Sequence, residues 1–335
     1  MSRVFYAKPE PLTDVTEESI LQHPIECQCC RQPLRSGLAD WHFYCPACSY
    51  EAASLTPSIN DESNPVKPDE VERETGLRVV RQRNFVKIIE RVRQLCDAAS
   101  PRLLEVGCAH GLFLEMVARD FDAVGIEPHR EVARETAARG FAVREGYFPS
   151  ALQADDRFDV IVFNDVLEHI PDLPDVLRAC RDCLNDNGIL VINLPDSSGI
   201  FYRLSRLLAR IGIRGMFERM WQLNYPSPHL HYFNGRNLQQ LISAHSFDQL
   251  YCARLDSLVA DGLFDRIAHT KEYSLPVAYL MYAAARLSIP LLGMLPADIQ
   301  LQIFRKRGQA HTPGGVHDRS SGRAGDQTGI TPGPT

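Results

Sequence analysis

The sequence has no long uninterrupted apolar run, no excess of positive charge, no internal repeat and no apolar segment at its start. Each absence removes a class. A membrane-spanning helix needs about 20 consecutive apolar residues, and the most apolar stretch, Leu275 to Pro296, is broken by Pro290. Lys and Arg number 36 against 42 Asp and Glu, a net charge of -6. That sign disfavours a chain whose main task is to coat nucleic acid. Residues Met1 to Glu10 carry Arg3 and Lys8 without an apolar stretch, so no export signal is expected and the expected location is the cytoplasm.

What is there is the composition of a folded protein. Of 335 residues 44% are hydrophobic and 23% charged, with mean hydropathy -0.20, enough for a large core. Residues 1–24 read as an extended lead-in, 53–69 as a Pro- and acid-containing linker, and 309–335 as a disordered tail poor in apolar residues.

Five of the ten cysteines lie between Cys27 and Cys48. Cys27 with Cys30, and Cys45 with Cys48, form two C-x2-C pairs separated by fourteen residues. Two such thiolate knuckles can close a tetrahedral Zn2+ site. The segment 25–52 holds too few apolar residues for a core without metal. Cys29 is expected to be a spare, and Cys180 with Cys183, inside a predicted helix, to be core packing.

Beyond the linker, Glu70 to Leu95 has apolar residues at helical spacing. Short strand-like runs follow at Arg102–Gly107, Ala123–Glu127, Phe141–Arg144, Phe158–Asn164 and Gly188–Leu194, separated by helical connectors. Two further strands are expected at Phe247–Leu255 and Gln300–Arg305. Alternating β and α elements with strands rich in Val, Ile and Leu predict a parallel sheet covered by helices on both faces.

The first of these strands runs into Gly107-Cys108-Ala109-His110-Gly111, small residues that let the backbone approach a ligand at the carboxyl edge of the sheet. The dinucleotide fingerprint is incomplete, with Ala109 and Leu112 at two of its glycine positions. Glu105, two residues before the first glycine, suits a ligand bearing a cation. Glu127, twenty residues after Gly107, is placed to accept ribose hydroxyls.

These features give the resemblance. Leu103 to Asp196 is similar to class I S-adenosylmethionine-dependent methyltransferases, and most resembles the branch with FDVIVFNDVLEHI, here Phe158 to Ile170, followed by LNDNGILVINLP, here Leu184 to Pro195. The resemblance implies a Rossmann-like seven-stranded methyltransferase sheet, here with a small N-terminal zinc ribbon. The methyltransferase domain would span 70–308, with lid insertions at about 197–235 and 258–297. It also implies S-adenosyl-L-methionine as cofactor. Glu105, Gly107, Cys108, Ala109 and Gly111 would hold its methionine part, Glu127 and Pro128 its ribose, and Asn164 with Asp165 would face the sulfonium. Glu145 and Gly146 lie where an acid often stands near the adenine.

Methyl transfer requires removal of a proton from the acceptor, and imidazole is a suitable base. The candidates are His169, after the fourth strand, and His229 and His231, in a segment that resembles the branch's acceptor-pocket motif. The acceptor is expected to be a small molecule, a sugar or a lipid-linked compound such as a glycolipid or prenyl quinone. Ile200 to Asn224 carries five arginines against one acid, with Leu204, Leu207 and Ile211 read as an opposite apolar face. This segment and 275–296 read either as a lid or as a peripheral-membrane surface. The alternatives are a non-catalytic binding module and, using Trp41, Phe43 and Tyr44 for stacking, an RNA methyltransferase.

Overall fold

The computed structural model describes residues 26–61, 70–257, 275–292 and 295–308. The expected tail, the lead-in and residues 258–274 and 293–294 of the second lid insertion lie outside the described residues. The N-terminal part contributes three short strands, β1 (Arg35–Ser36), β2 (His42–Tyr44) and β3 (Glu51–Ala53). Then come α1 (Glu70–Leu95), β4 (Arg102–Val106), α2 (Leu112–Val117), β5 (Asp122–Glu127), α3 (Arg130–Ala138) and β6 (Ala142–Glu145). The second half runs β7 (Phe158–Asn164), a 3-10 turn at Leu167–His169, α4 (Leu173–Cys183), β8 (Leu184–Pro195), α5 (Ile200–Arg210) and α6 (Gly215–Met220). It ends with β9 (His231–Tyr232), α7 (Gly235–Ala244), β10 (Phe247–Leu255), α8 (Leu275–Leu292) and β11 (Ile299–Lys306).

Seven strands form the main sheet in the order β10-β11-β8-β7-β4-β5-β6. Six run in the same direction, and β11, antiparallel to both β8 and β10, is reversed. Successive side chains of a strand face opposite sides, and the central strands here are apolar on both. Leu103, Val160, Val162, Ile189 and Val191 enter one core with Ile88 and Val92 of α1. Leu104, Ile161, Phe163, Leu190 and Ile192 enter the other with Leu177 of α4 and Leu241 of α7. Each such side chain, fully buried, contributes about 1.5–3 kcal/mol. Double burial explains why the strands read as continuous apolar runs rather than alternating ones.

The chain winds outward from β4 through β5 to β6, then returns to the other side of β4 as β7. This reversal opens a crevice at the carboxyl ends of β4 and β7, where sheets of this kind take ligands.

The ribbon is tied into this body rather than strung on a linker. Its sheet has a fourth strand, β9, paired with β3 through Glu51–Tyr232 and Ala52–His231. Around the seam Tyr202, Phe217, Trp221 and Tyr232 form a separate core against Leu38, Trp41 and Ala53. The arginine-rich segment is two helices, α5 and α6, not one. On α5 the buried stripe is Tyr202, Ser205 and Ala209. Leu204, Leu207 and Ile211, read as the apolar face of a lid or of a membrane surface, are 42%, 56% and 69% exposed.

Candidate functional site

The crevice is bordered by two carboxylates on adjacent parallel strands. Glu105, on β4, is buried; its Oε1 accepts from Asn164 Nδ2 at 2.9 Å, and Asn164 Oδ1 accepts from Asn193 Nδ2 at 2.7 Å. This chain crosses β4, β7 and β8 below the crevice. Burial pushes the Glu105 carboxyl up to about 8, with the nearby negative charge of Glu127 adding to it. Glu105 Oε2 is buried and has no hydrogen-bond partner among the described residues. A protein does not leave a buried carboxylate oxygen unsatisfied without cost, and a ligand ammonium group would satisfy it.

Glu127 ends β5. Its Oε2 accepts from the Ala109 amide at 2.9 Å and its Oε1 from the His129 amide at 2.8 Å. The carboxylate thus clamps the glycine-rich loop to the next strand, and each oxygen keeps a second lone pair for a ribose hydroxyl. Within the loop Gly107 and Gly111 have φ of 73° and 76°, and Ala109 has φ 45°. A Cβ on Gly107 would come within 2.5 Å of Val166 Cγ2, which is why no larger residue fits there. Leu112, where the dinucleotide motif would have glycine, is buried as the first residue of α2. Cys108 is buried behind the loop, and Pro128 accepts from Asn60 Nδ2 through its carbonyl at 2.7 Å. Glu145 faces Arg130 and Arg134 at 3.5 and 3.4 Å on the surface.

Asp165 turns the chain out of β7 with φ 54° and lies 3.9 Å from Arg81 of α1. Arg81, Asn84, Asp165, Asn193, Ser257 and Ile299 line a cavity of about 160 Å3 between α1 and the ends of β7 and β8.

The three histidines separate into a pair and a single residue. His169 and His229 stack edge to face with ring centroids 4.7 Å apart. His169 Nδ1 lies 2.8 Å from the Pro228 carbonyl, which can only accept, so Nδ1 carries the proton and Nε2 the lone pair. His231, read from the sequence as a candidate base, is placed in the ribbon seam instead. It is buried; its Nε2 donates to the Ile170 carbonyl at 2.9 Å and its Nδ1 accepts from the Tyr50 hydroxyl. Burial holds its pKa down at about 4. Both nitrogens are committed to joining the ribbon to the sheet.

The four cysteines converge. Cys27, Cys30, Cys45 and Cys48 place their sulfurs within 4.8 Å of one another, with Cys27–Cys48 at 3.5 Å and Cys30–Cys45 at 3.4 Å. A tetrahedral site with metal–sulfur bonds of about 2.3 Å has sulfur–sulfur edges of roughly 3.8 Å, so the arrangement fits a tetrahedral metal. Cys29 is also buried beside them but is not one of the four. Cys180 and Cys183 are packed in the core on the buried face of α4.

Sequence reading did not find the polar node beside this ribbon. Glu51, 1% exposed, accepts from Tyr202 Oη at 2.8 Å, pairs with Arg206 at 2.8 Å and lies 2.7 Å from His42 Nε2. His42 Nδ1 accepts from the Leu38 amide at 2.9 Å, which fixes the Nε2–H tautomer that donates to Glu51. No spacing rule links Glu51 to a residue 151 positions away.

Residues 79–250 match the family model described as a methyltransferase domain. The chain belongs to this methyltransferase family. It is 35% identical over 108 residues to a ubiquinone biosynthesis O-methyltransferase of Azorhizobium caulinodans, a match covering 30% of this chain and 43% of that protein. A protein of the same name from Yersinia pestis is 34% identical over 96 residues, 26% of this chain and 39% of its own length. The chain therefore spans less than half the length of these curated relatives. A solved S-adenosylmethionine-dependent methyltransferase from Archaeoglobus fulgidus aligns with 71% of this chain and 100% of its own, at 16% identity and TM-score 0.46. Family membership implies S-adenosylmethionine as the ligand of the crevice, and the residues present fit it. The open oxygen of Glu105 suits an ammonium group.

Proposed function

We propose that the protein transfers a methyl group from S-adenosylmethionine to a hydroxyl of a small-molecule acceptor. The observation that carries this reading is the pair Glu105 and Glu127, on neighbouring strand ends with the left-handed glycine loop between them. When bound, S-adenosylmethionine supplies an electrophilic methyl group on a sulfonium centre. The chain's own residues do the rest. Glu105 binds the amino group, Glu127 accepts ribose hydroxyls, and Asn164 and Asp165 face the sulfonium side of the crevice. The His169–His229 pair stands at the carboxyl end of β7, where the acceptor proton must leave so that its oxygen can attack in line.

A lipid-linked acceptor is favoured over a free sugar by the exposed face of α5. Leu204, Leu207, Ile211 and Ile213 stand there among exposed Arg203, Arg210 and Arg214, a pattern suited to an anionic membrane surface. On α8 Leu275, Leu280 and Leu287 are exposed as well, and no helix among the described residues is long and apolar enough to cross a membrane. The names of the relatives, ubiquinone O-methyltransferases, agree with a prenylated aromatic hydroxyl, and a glycolipid fits the same surface. For the four cysteines we assign a structural Zn2+. An RNA acceptor is disfavoured, because one face of Trp41 is taken up by Phe217, with ring centroids 5.8 Å apart, and the chain is net acidic.

The test incubates the purified protein with methyl-labelled S-adenosylmethionine and cellular lipid and metabolite extracts, followed by mass spectrometry. A labelled product in the lipid fraction supports the reading. A product confined to water-soluble sugars rejects the lipid-linked acceptor. Failure to bind S-adenosylmethionine by calorimetry rejects the enzyme.

A further inference from the structure

Beside the donor crevice stands a second set of metal-ligand side chains, distinct from the four cysteines. Glu168, His169 and His229 each direct one ligand atom into a common space, all within 4.8 Å of one another. Glu168 is 1% and His229 5% exposed, whereas His169 is only partly buried, so the set is not sealed off. We propose that these three residues bind a divalent first-row transition metal ion. The inference rests on the methyl-transfer reading only for what the metal does, not for its binding.

Three observations carry the assignment. First, the donor set is one carboxylate and two imidazoles, which suits Mn2+ through Zn2+ and leaves coordination positions for further oxygen ligands. Around an ion with ligand bonds of about 2.0–2.2 Å, donor atoms stand roughly 3–4.4 Å apart. A spread of at most 4.8 Å closes to that by small rotations of the side chains.

Second, the two segments that supply the ligands are stapled to each other in both directions. His169 Nδ1 donates to the Pro228 carbonyl at 2.8 Å, and the Leu230 amide donates to the Glu168 carbonyl at 2.8 Å. The His229 amide in turn donates to the Trp221 carbonyl at 3.1 Å. A site whose backbone is fixed in this way loses little entropy on taking up an ion.

Third, each imidazole has its other nitrogen held by an outer group, as metal-bound histidines do. The Pro228 carbonyl fixes the His169 proton on Nδ1 and leaves the lone pair on Nε2. Gln222 Nε2 is set 2.8 Å from His229 Nε2 while Gln222 Oε1 is buried without a hydrogen-bond partner, so turning the carboxamide over satisfies both groups. With its oxygen turned to the ring, Gln222 accepts Nε2–H and the lone pair of His229 lies on Nδ1, a buried nitrogen.

In the methyl-transfer reading such an ion would take an acceptor hydroxyl as a ligand and lower its pKa. The proton passes to water, the oxygen lone pair forms the bond to the methyl carbon, and the carbon–sulfur bond breaks with its electron pair left on sulfur. The histidines then act through the ion rather than as free bases.

The experiment uses the full-length protein with its cysteine site loaded with zinc, freed of loosely held ions by a brief chelator wash. It is titrated with Mn2+ in the absence of S-adenosylmethionine, and free Mn2+ is counted by electron paramagnetic resonance. One Mn2+ per chain is expected, with Glu168→Gln and His229→Ala each weakening it by about tenfold or more. Co2+ added instead should give weak visible bands without the intense thiolate charge-transfer absorption of a cysteine site. Zinc content and S-adenosylmethionine binding measured on each variant establish that it is folded, and His229→Gln serves if the alanine variant is not. The proposal is overturned if the wild-type chain holds no Mn2+ or Co2+ more tightly than about 1 mM. It is equally overturned if folded variants bind as the wild type does. S-adenosylmethionine calorimetry on the same samples reports separately on the enzyme reading.

Discussion

The carboxylate of Glu51, on the ribbon, accepts the Tyr202 hydroxyl of α5 at 2.8 Å in a fully buried setting. Arg206 and His42 complete the node. Tyr202→Phe removes one charge-assisted hydrogen bond and is expected to destabilise the fold by about 1.5–3 kcal/mol, measured by denaturant unfolding. Arg206→Glu sets a second carboxylate against buried Glu51 and should open the seam. Arg210→Glu, at an exposed position of the same helix, should leave stability within about 0.5 kcal/mol. Equal effects from the two arginine variants would show that the node does not hold the seam.

One metal per chain is expected in the ribbon. Elemental analysis after expression in zinc-replete medium should find it retained in Cys29→Ser and lost in Cys45→Ser, since Cys29 stands outside the set of four. The Cys45 variant should also melt at lower temperature, because metal binding and folding are coupled in so small a module.

Glu127→Ala should weaken S-adenosylmethionine by about 2–4 kcal/mol, roughly 30- to 900-fold. Two ribose bonds are lost, and so is the clamp on the Ala109 and His129 amides. Calorimetry giving the two proteins equal affinity would place the ribose elsewhere.

Glu105 predicts a pH signature of known sign. Its carboxyl is raised from 4.5 to about 8 by burial, so between those values the folded chain holds a proton that the unfolded chain has released. Stability from this group is therefore greatest below about pH 4.5, falls as pH rises through the window and levels off above about 8. A cationic ligand reverses the preference and expels the proton. Binding of S-adenosylmethionine at pH 7 should release up to one proton, visible as a heat that changes with the buffer's ionisation enthalpy. The dependence should vanish in Glu105→Gln. A wild-type heat independent of buffer would remove Glu105 from the ammonium site.

If the exposed face of α5 meets membrane, flotation with anionic vesicles should capture the protein at low salt and release it as salt rises. Arg203→Glu with Arg210→Glu should abolish capture without touching the Glu51 node. Neutral vesicles binding as well as anionic ones would argue against the arginines.

The main sheet was legible because its information is local. Residues 158–164 and 247–255 were bounded to the residue, since strands buried on both faces or flanked by turn residues announce themselves in sequence. The positions of Glu105 and Glu127 at the ends of adjacent strands were legible for the same reason. The face of α5 was not. Its leucines stand out in sequence, but nothing local shows that the tyrosine–serine–alanine face turns to the ribbon so that Tyr202 and Arg206 reach Glu51. The place of His231 was not legible either, because only the pairing of β9 with the ribbon brings its ring between the Ile170 carbonyl and the Tyr50 hydroxyl. Glu168 was passed over as a neighbour of His169; only the fold brings both beside His229.

The strand β9 gives the order of assembly a particular form. During synthesis the ribbon leaves the ribosome before the main sheet, and domains generally fold as their segments emerge. The four cysteines, all within residues 27–48, can take up their metal at once. Yet β3 keeps an open edge until Tyr232 arrives, about 180 residues later, and Tyr50 waits as long for His231. Open edges invite foreign strands. The nascent chain thus carries an unpaired edge through the synthesis of those 180 or so residues, and holdase chaperones would be expected to engage it there until β9 comes back to close it.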